Sequence, residues 1–303
     1  MAKHLLHIGF ALAIAALALK AAFMPPRLRV TLRPGESAAL DDAVLVLKNF
    51  TVPKYPDGRP RQYVSDVHLV TQGADGAPEA RHAAIAVNRP MRWNGWWIYQ
   101  SAYDAEREAY TVLEAVHDPF LPLAAAAGLL LLAGAAALCR RRLPRPDGSP
   151  AGLGGAAVRF AVATAVVMLP LWIAGRVLLT RDLVPALQSP LLVPHVGAYI
   201  VAYAILIFAA FGIGVRFVPF GFFLMTLALV LGATWGKICW GDWWQYDPKE
   251  MWSLATWLAF AVYFHVRRPA VAKAVLWIGA ALIVLTLTWV NFAKMFKGLH
   301  TYV

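Results

Sequence analysis

The sequence predicts a multi-pass α-helical membrane protein of about seven transmembrane helices carrying a small extracytoplasmic β-domain. Three observations predict it. The chain of 303 residues is 60% hydrophobic and only 15% charged, with 12 tryptophans, and its mean hydropathy of +0.57 lies outside the habit of soluble domains. Seven apolar runs reach or approach the ~20 residues that span a bilayer. One long polar insertion, residues 25–118, separates the first run from the rest.

The runs lie at 5–24, 119–138, 156–177, 195–214, 217–234, 251–266 and 271–290, the sixth being short. The first has no small-residue cleavage site and reads as a retained helix. The net charge of +11 does not point to nucleic acid, because the basic residues flank apolar runs as cytoplasmic membrane loops do; the partner they meet is membrane lipid. Arg140, Arg141, Arg142 and Arg145 follow the second run, Arg216 the fourth, and Arg267, Arg268 and Lys273 the sixth. These alternate loops share a side with Lys3 and the N-terminus, which the positive-inside tendency makes cytoplasmic. Residues 25–118, the segment 235–250 and the C-terminus then fall outside. Lys20, late in the first run, can snorkel outward.

Within 25–118 the stretches 28–32, 43–47, 67–70, 84–87, 96–99 and 110–113 read as strands, separated by the breakers Arg33-Pro-Gly, Pro56-Asp-Gly and Trp93-Asn-Gly. The domains expected are thus residues 1–24, the first helix; 25–118, the β-domain; 119–145, the second helix with its basic loop; and 146–303, a helical domain containing the segment 235–252. The two cysteines, Cys139 and Cys239, are far apart and on opposite sides, which argues against a thiol-reducing conveyor.

The segment 235–252 holds Trp235, Trp240, Trp243, Trp244 and Trp252, with Tyr246. Indoles at this density make an aromatic platform, apolar on its face and polar at its ring nitrogens. An interfacial tryptophan belt is the alternative, though belts spread over many helix ends. Asp242, Asp247, Lys249 and Glu250 are interleaved; each either orients the platform or is simply a solvated charge, and Lys249 could meet an acid group. Asp247-Pro248 before a helical run reads as an N-cap and first helical residue.

The histidines sort by depth. His4 or His7 with His265 make an inner pair, and His195 with His300 an outer one beside the tryptophans. Paired imidazoles on opposite faces suit haem iron, and haem is a planar apolar ligand that suits the platform. A histidine alone reads more readily as an interfacial polar residue than as a ligand, and the sorting into two same-side pairs brings the two readings level.

The residues Trp240-Gly-Asp-Trp-Trp-Gln-Tyr-Asp-Pro-Lys-Glu-Met-Trp-Ser-Leu254 resemble the WWD segment of the CcsA (ResC) family of cytochrome c biogenesis proteins. Ala186-Leu-Gln-Ser-Pro-Leu-Leu-Val-Pro-His-Val196 and Val290-Asn-Phe-Ala-Lys-Met-Phe-Lys-Gly-Leu-His-Thr-Tyr302 are similar to the stretches carrying that family's two external histidines, and His265 stands at its transmembrane histidine. Tyr246 and Met251 depart from the family's usual tryptophan and threonine. Ala86-Val-Asn-Arg-Pro-Met-Arg-Trp-Asn-Gly-Trp-Trp-Ile-Tyr-Gln-Ser-Ala-Tyr-Asp104 and Tyr110-Thr-Val-Leu-Glu-Ala-Val-His-Asp-Pro-Phe-Leu-Pro122 resemble the partner family ResB (CcsB), as does the His7-Ile-Gly opening. Nearly the whole chain thus looks like a compact ResB–CcsA fusion of System II.

The resemblance implies a cytochrome c synthase, or haem lyase, in the bacterial cytoplasmic (inner) membrane. Haem b would enter between His7 and His265, with His7 preferred to His4 by its context. It would move to the platform under His195 and His300 and be attached to the Cys-x-x-Cys-His motif of an apocytochrome c. Trp240, Trp243, Trp244 and Trp252 would touch haem through their ring faces, joined by Trp235, while Asp247 shapes the turn. A thiol-reducing partner would keep the apocytochrome cysteines reduced. Several upstream family spans have no counterpart here, which leaves room for additional biogenesis subunits. The alternative reading is a haem transporter or chaperone that delivers haem to a separate ligating component.

Overall fold

The computed structural model describes residues 1–73, 75, 77–104, 107–142 and 153–292. Helix α1 (Ala2–Phe23) leads into eight strands: β1 (Leu28–Leu32), β2 (Ser37–Leu40), β3 (Ala43–Thr51), β4 (Val64–Gln72), β5 (Pro78–Ala86), β6 (Met91–Trp93), β7 (Trp96–Tyr103) and β8 (Thr111–His117). Six helices follow: α2 (Leu121–Arg142), α3 (Leu153–Leu178), α4 (Leu192–Ala210), α5 (Val218–Trp240), α6 (Pro248–Tyr263) and α7 (Pro269–Phe292).

The strands form two antiparallel four-stranded sheets, ordered β1-β8-β7-β6 and β2-β3-β4-β5. Alternation drives them together: Ala43, Leu45 and Leu47 of β3 and Val67 and Leu69 of β4 point inward, meeting Ile98 and Leu113 of the other sheet. A bulge between Leu47 and Asn49 resets the period so that Phe50 also points in. The core holds one polar knot. Buried Ser65 donates to Gln100 Oε1 at 2.7 Å, and Gln100 Nε2 donates to Thr111 Oγ1 at 2.7 Å, so the two sheets are tied with these polar groups hydrogen-bonded. The six predicted strands are present and two further ones, β2 and β6, join them. Ser-Ala-Ala-Leu and Met-Arg-Trp are too short to show a period. The expected breaker at Asn94-Gly95 is the left-handed two-residue turn of the β6–β7 hairpin.

Among the described residues six helices are long and apolar enough to cross a membrane. The remaining one, α6, has 16 residues, about 24 Å at 1.5 Å per residue, which fits the shortness read from its sequence. Helix α3 buries none of its apolar span and exposes Val158, Val162, Val166, Leu169, Trp172 and Ile173, as a lipid-facing helix must. The others share a core around Phe222, Phe260, Trp257, Leu206 and Ile283. Small residues let α1 and α2 touch: Gly9 lies against the Leu131 backbone and Gly134 against the Leu6 backbone.

The β-domain docks at the end of the bundle where α1 and α5 finish and α2 and α4 begin. Lys237, in the last turn of α5, is buried and donates to Asp118 Oδ2 at 3.0 Å and to the Gly241 carbonyl at 3.1 Å. Asp118 also accepts the Phe120 N–H at 3.1 Å and so caps the entry to α2. Removing one partner leaves a bare buried charge. Asp118→Ala and Lys237→Met should each lower stability by about 3–5 kcal/mol, and the double variant Asp118→Leu with Lys237→Met should recover most of it. Thermal unfolding in detergent reads this; a double variant no better than the singles would show that the pair acts by its bonds, not by charge compensation.

The turn into α6 carries a complete capping box. Asp247 Oδ1 accepts the Lys249 N–H at 2.9 Å, and Glu250 reaches back to the Asp247 N–H at 3.3 Å and the Gln245 N–H at 2.8 Å. Asp247→Ala should loosen this turn by about 1 kcal/mol, measured as faster hydrogen exchange at residues 249–251 with the rest of α6 unchanged.

Candidate functional site

Two groups of sequence-selected residues come together at opposite ends of the bundle. At the end away from the β-domain, His7 of α1 and His265 just past α6 face each other with Nε2 to Nε2 at 3.1 Å and ring centres 5.2 Å apart. Both rings are exposed, and Lys3 Nζ fixes the approach by donating to the Phe264 carbonyl at 2.8 Å. Of the two candidates on α1 it is therefore His7, not His4, that lies against His265.

At the β-domain end, His195 stands in the first turn of α4. Its Nδ1 bonds the Ala228 carbonyl of α5 at 2.8 Å, which fixes the ring and directs Nε2 away from that carbonyl. The ring sits edge-on to Tyr199 at 5.3 Å and to Trp235 at 6.0 Å. This approach requires glycine at position 232, where an added Cβ would lie 2.8 Å from Nδ1. His300 lies outside the described residues; α7, whose Thr286 and Leu287 share a cavity with His195, ends at Phe292 on this same end.

The tryptophan segment is part helix, part turn. Expected as a loop outside the membrane, it instead begins inside α5: Trp235 through Trp240 are the last turns of that helix, because the apolar run continues through Ile238 and Cys239. The chain then reverses between Gly241 and Asp247, with Gly241 (φ +84°) and Tyr246 (φ +58°) both left-handed. Gly241 passes under Tyr99, whose ring an added Cβ would meet at 3.1 Å. Burial pushes the Tyr99 phenol well above its usual range, so it stays a donor, here to the Lys237 carbonyl at 2.9 Å.

The indoles divide between two cavities. Trp240 and Trp244 line one of about 220 Å³ with His195, Tyr199, Lys249 and Glu250. Trp243 and Trp244 line a second, apolar one of about 530 Å³ between α1, α2, α5 and α6, with Phe10, Leu17 and Trp257. That volume is ordinary for a site holding an organic ligand. His7 precedes Phe10 by one helical turn, and Phe10 stacks on Trp257 at 5.8 Å, so the larger cavity opens one turn from the inner histidine pair. Trp235 is buried, donating to Asn88 Oδ1 of the β-domain at 3.1 Å. Trp252 is half-buried in α6 and lines neither cavity.

Sequence reasoning missed the ionic seam. Asp242 receives both Lys20 of α1 and Arg27, and Arg27 also reaches Glu114 of β8 at 2.6 Å. Burial works to lower the Arg27 pKa, but the hydrogen bond to Glu114 and the charges of Asp242 and Glu114 outweigh it and hold it above the usual value. Lys20 thus snorkels to a specific carboxylate. Lys249 lines the smaller cavity. Phe10, Trp257 and Lys237 had no signal beyond their apolar surroundings. The cysteines are free, buried and at opposite ends, Cys139 late in α2 and Cys239 late in α5.

A multi-pass membrane protein with aromatic cavities between a histidine pair at one end and His195 at the other, tied to an extramembrane β-sandwich, is the class these features define. Residues 213–300 match the Cytochrome C assembly protein family and residues 27–112 the ResB-like family. Cytochrome c biogenesis protein CcsA of Chlamydomonas reinhardtii is 31% identical over 40% of this chain and 42% of its own length. The CcsA proteins of Prochlorococcus marinus and Guillardia theta are 40% and 41% identical, each over 29% of this chain and 28% and 30% of their own lengths. The chain spans less than half the length of these relatives. The two matched segments, in this order, have the arrangement of a ResB–CcsA fusion of the System II cytochrome c biogenesis type.

Gly232→Ala should push the His195 ring off α5 and break its bond to Ala228. Nitrogen NMR of labelled histidine would then show Nδ1 released, with the helical content unchanged; an unmoved His195 signal would mean α4 and α5 can part without the ring.

Proposed function

We propose that the chain carries haem across the membrane and attaches it covalently to apocytochrome c, as a haem lyase. The observation that carries this reading is the contact of His7 with His265 beside an apolar cavity whose far wall is Trp243 and Trp244. Haem is the substrate here, and haem b is the form proposed. Metal–imidazole bonds of about 2 Å place axial nitrogens about 4 Å apart, so the His7 and His265 Nε2 atoms, 3.1 Å apart, need to separate by only about 1 Å as the rings open around the porphyrin. Both lie near the ends of their helices, where such movement is least costly.

The proposed course runs from this pair, through the apolar cavity, to the smaller cavity beside His195, where His300 supplies the second axial nitrogen. Trp240, Trp243 and Trp244, which line these cavities, contact the ring faces, and Trp252, which lines neither, does not. Apocytochrome c binds on the β-domain side, taken as extracytoplasmic, with its Cys-x-x-Cys-His thiols kept reduced by a separate partner. Each thiol adds across a vinyl group, sulfur to one carbon and hydrogen to the other, so the step needs no oxidant. The protein's part is positioning, which raises the effective concentration of thiol and vinyl. His195 anchored on α5 and Trp235 anchored on Asn88 give that positioning a rigid base.

The test uses the full chain, purified alone and co-expressed with an apocytochrome c. Bound low-spin haem and covalent haem on the apocytochrome are expected. His7→Ala or His265→Ala should lower haem content several-fold, with His4→Ala close to wild type. His195→Ala and His300→Ala should each convert the bound haem towards five-coordinate and abolish attachment. Haem binding without covalent product would favour transport alone; wild-type spectra and activity in all these variants would overturn the ligand assignment.

A further inference from the structure

Four cations gather where the β-domain meets the helices, and three of them face carboxylates. Lys20 and Arg27 meet Asp242, and Lys237 meets Asp118. The fourth, Arg92, has no carboxylate partner among the described residues. It sits in β6 directly across the hairpin from Trp97, and its guanidinium lies over that indole, 3.7 Å from the ring centre. Stacking holds the guanidinium plane while leaving its N–H edge available, the arrangement that suits a carboxylate.

Arg92 and Trp97 line the β-domain end of the 530 Å³ cavity. Three other polar side chains on its wall are engaged. Thr226 Oγ1 donates to the Phe222 carbonyl and accepts the Trp257 N–H, Thr234 Oγ1 donates to the Val230 carbonyl, and Lys237 is held by Asp118 and Gly241. An apolar slot thus ends in one charged donor, Arg92, that faces no carboxylate among the described residues.

We propose that Arg92 anchors a carboxylate carried by the flat apolar occupant of this cavity. The apolar end of the cavity, between Phe10, Leu131 and Trp257, then takes the occupant's apolar edge, and its acid edge stays by Arg92. The inference rests on the haem reading above and deepens it, since it fixes which edge of a porphyrin dicarboxylate leads and which trails. An ionised carboxylate pushed into the apolar end would lose its hydration without replacement, whereas at Arg92 it exchanges water for a charge-assisted bond.

Iron-free protoporphyrin IX and its dimethyl ester test this without the histidines, because neither carries iron. Fluorescence titration of the full chain in nanodiscs should show the diacid bound about tenfold more tightly than the diester, the worth of one hydrogen bond to a charged group. Arg92→Gln should erase that preference by weakening the diacid alone, and Arg92→Lys should keep part of it. Equal binding of both porphyrins by the wild type, or a preference that survives Arg92→Gln, overturns the proposal. The preference should be the same in phosphatidylcholine and phosphatidylglycerol nanodiscs; its loss in phosphatidylglycerol alone would assign Arg92 to lipid headgroups and overturn it too. A wild type that binds neither porphyrin removes the haem reading itself, which distinguishes the two failures.

Discussion

Lys237 is a full positive charge in the last turn of an otherwise apolar helix, and Asp118 is the carboxylate that makes it tolerable. Their side chains retain 4% and 1% of their exposure, so neither is solvated by water. Each member of the pair also holds something else. Lys237 closes on the Gly241 carbonyl where α5 ends, and Asp118 caps the start of α2. The Trp97 ring, 5.4 Å away, adds a face of negative quadrupole. A buried ion pair is a poor source of net stability but a good one of uniqueness when every bond is satisfied. Here it fixes one register of the β-sandwich on the bundle, and everything at that end follows from it.

The tryptophan turn inherits its position from this seam. Its first residues are helical and pinned through Trp235 to Asn88, and its reversal at Gly241 runs beneath Tyr99. Asp242 is drawn back to α1 and β8 through Lys20, Arg27 and Glu114. The ResB-like part therefore supplies most of the groups that orient the CcsA-like turn. Asn88 extends the same tie to the chain before α4, donating to the Pro185 and Ala186 carbonyls at 3.0 and 2.9 Å, and so sets where His195 begins its helix. Fusion of the two parts in one chain keeps this many-point contact at high effective concentration.

Much of this was legible in the sequence, and the reasons differ by element. The spans were legible because bilayer length is a strict constraint on apolar runs. The long strands were legible by alternation, and the cap at Asp247 by residue type alone, since Asp-Pro-Lys-Glu satisfies a helix start in only one way. Sorting residues by depth paired His4 or His7 with His265, and the deeper position and family-like His-Ile-Gly context of His7 chose between them. Strands β2 and β6 were not legible because three or four residues carry no period. The ionic seam was hidden for a different reason: Lys20, Lys237 and Asp118 are individually ordinary charges beside apolar runs, and their partners are 222 and 119 residues distant.

The density of tryptophan also acquires a different physical meaning. A single flat platform would present its indoles to one ligand face, but these rings serve separate surfaces. Trp235 and Trp240 are inclined by 36° at 5.7 Å, Trp243 walls the cavity beside α1, and Trp240 walls the one beside α4. Of these tryptophans only Trp244 lines both. An indole at the partition between two cavities is a wall with a polarizable face on each side, here carried by a turn that holds two left-handed residues. Backbone in that conformation is stored strain for Tyr246, and the ion pairs at Asp242 and the capping box at Asp247 restrain it from either side. The turn is thus held at both ends and least constrained at Trp243 and Trp244, which is where a passage between the two cavities would have to open.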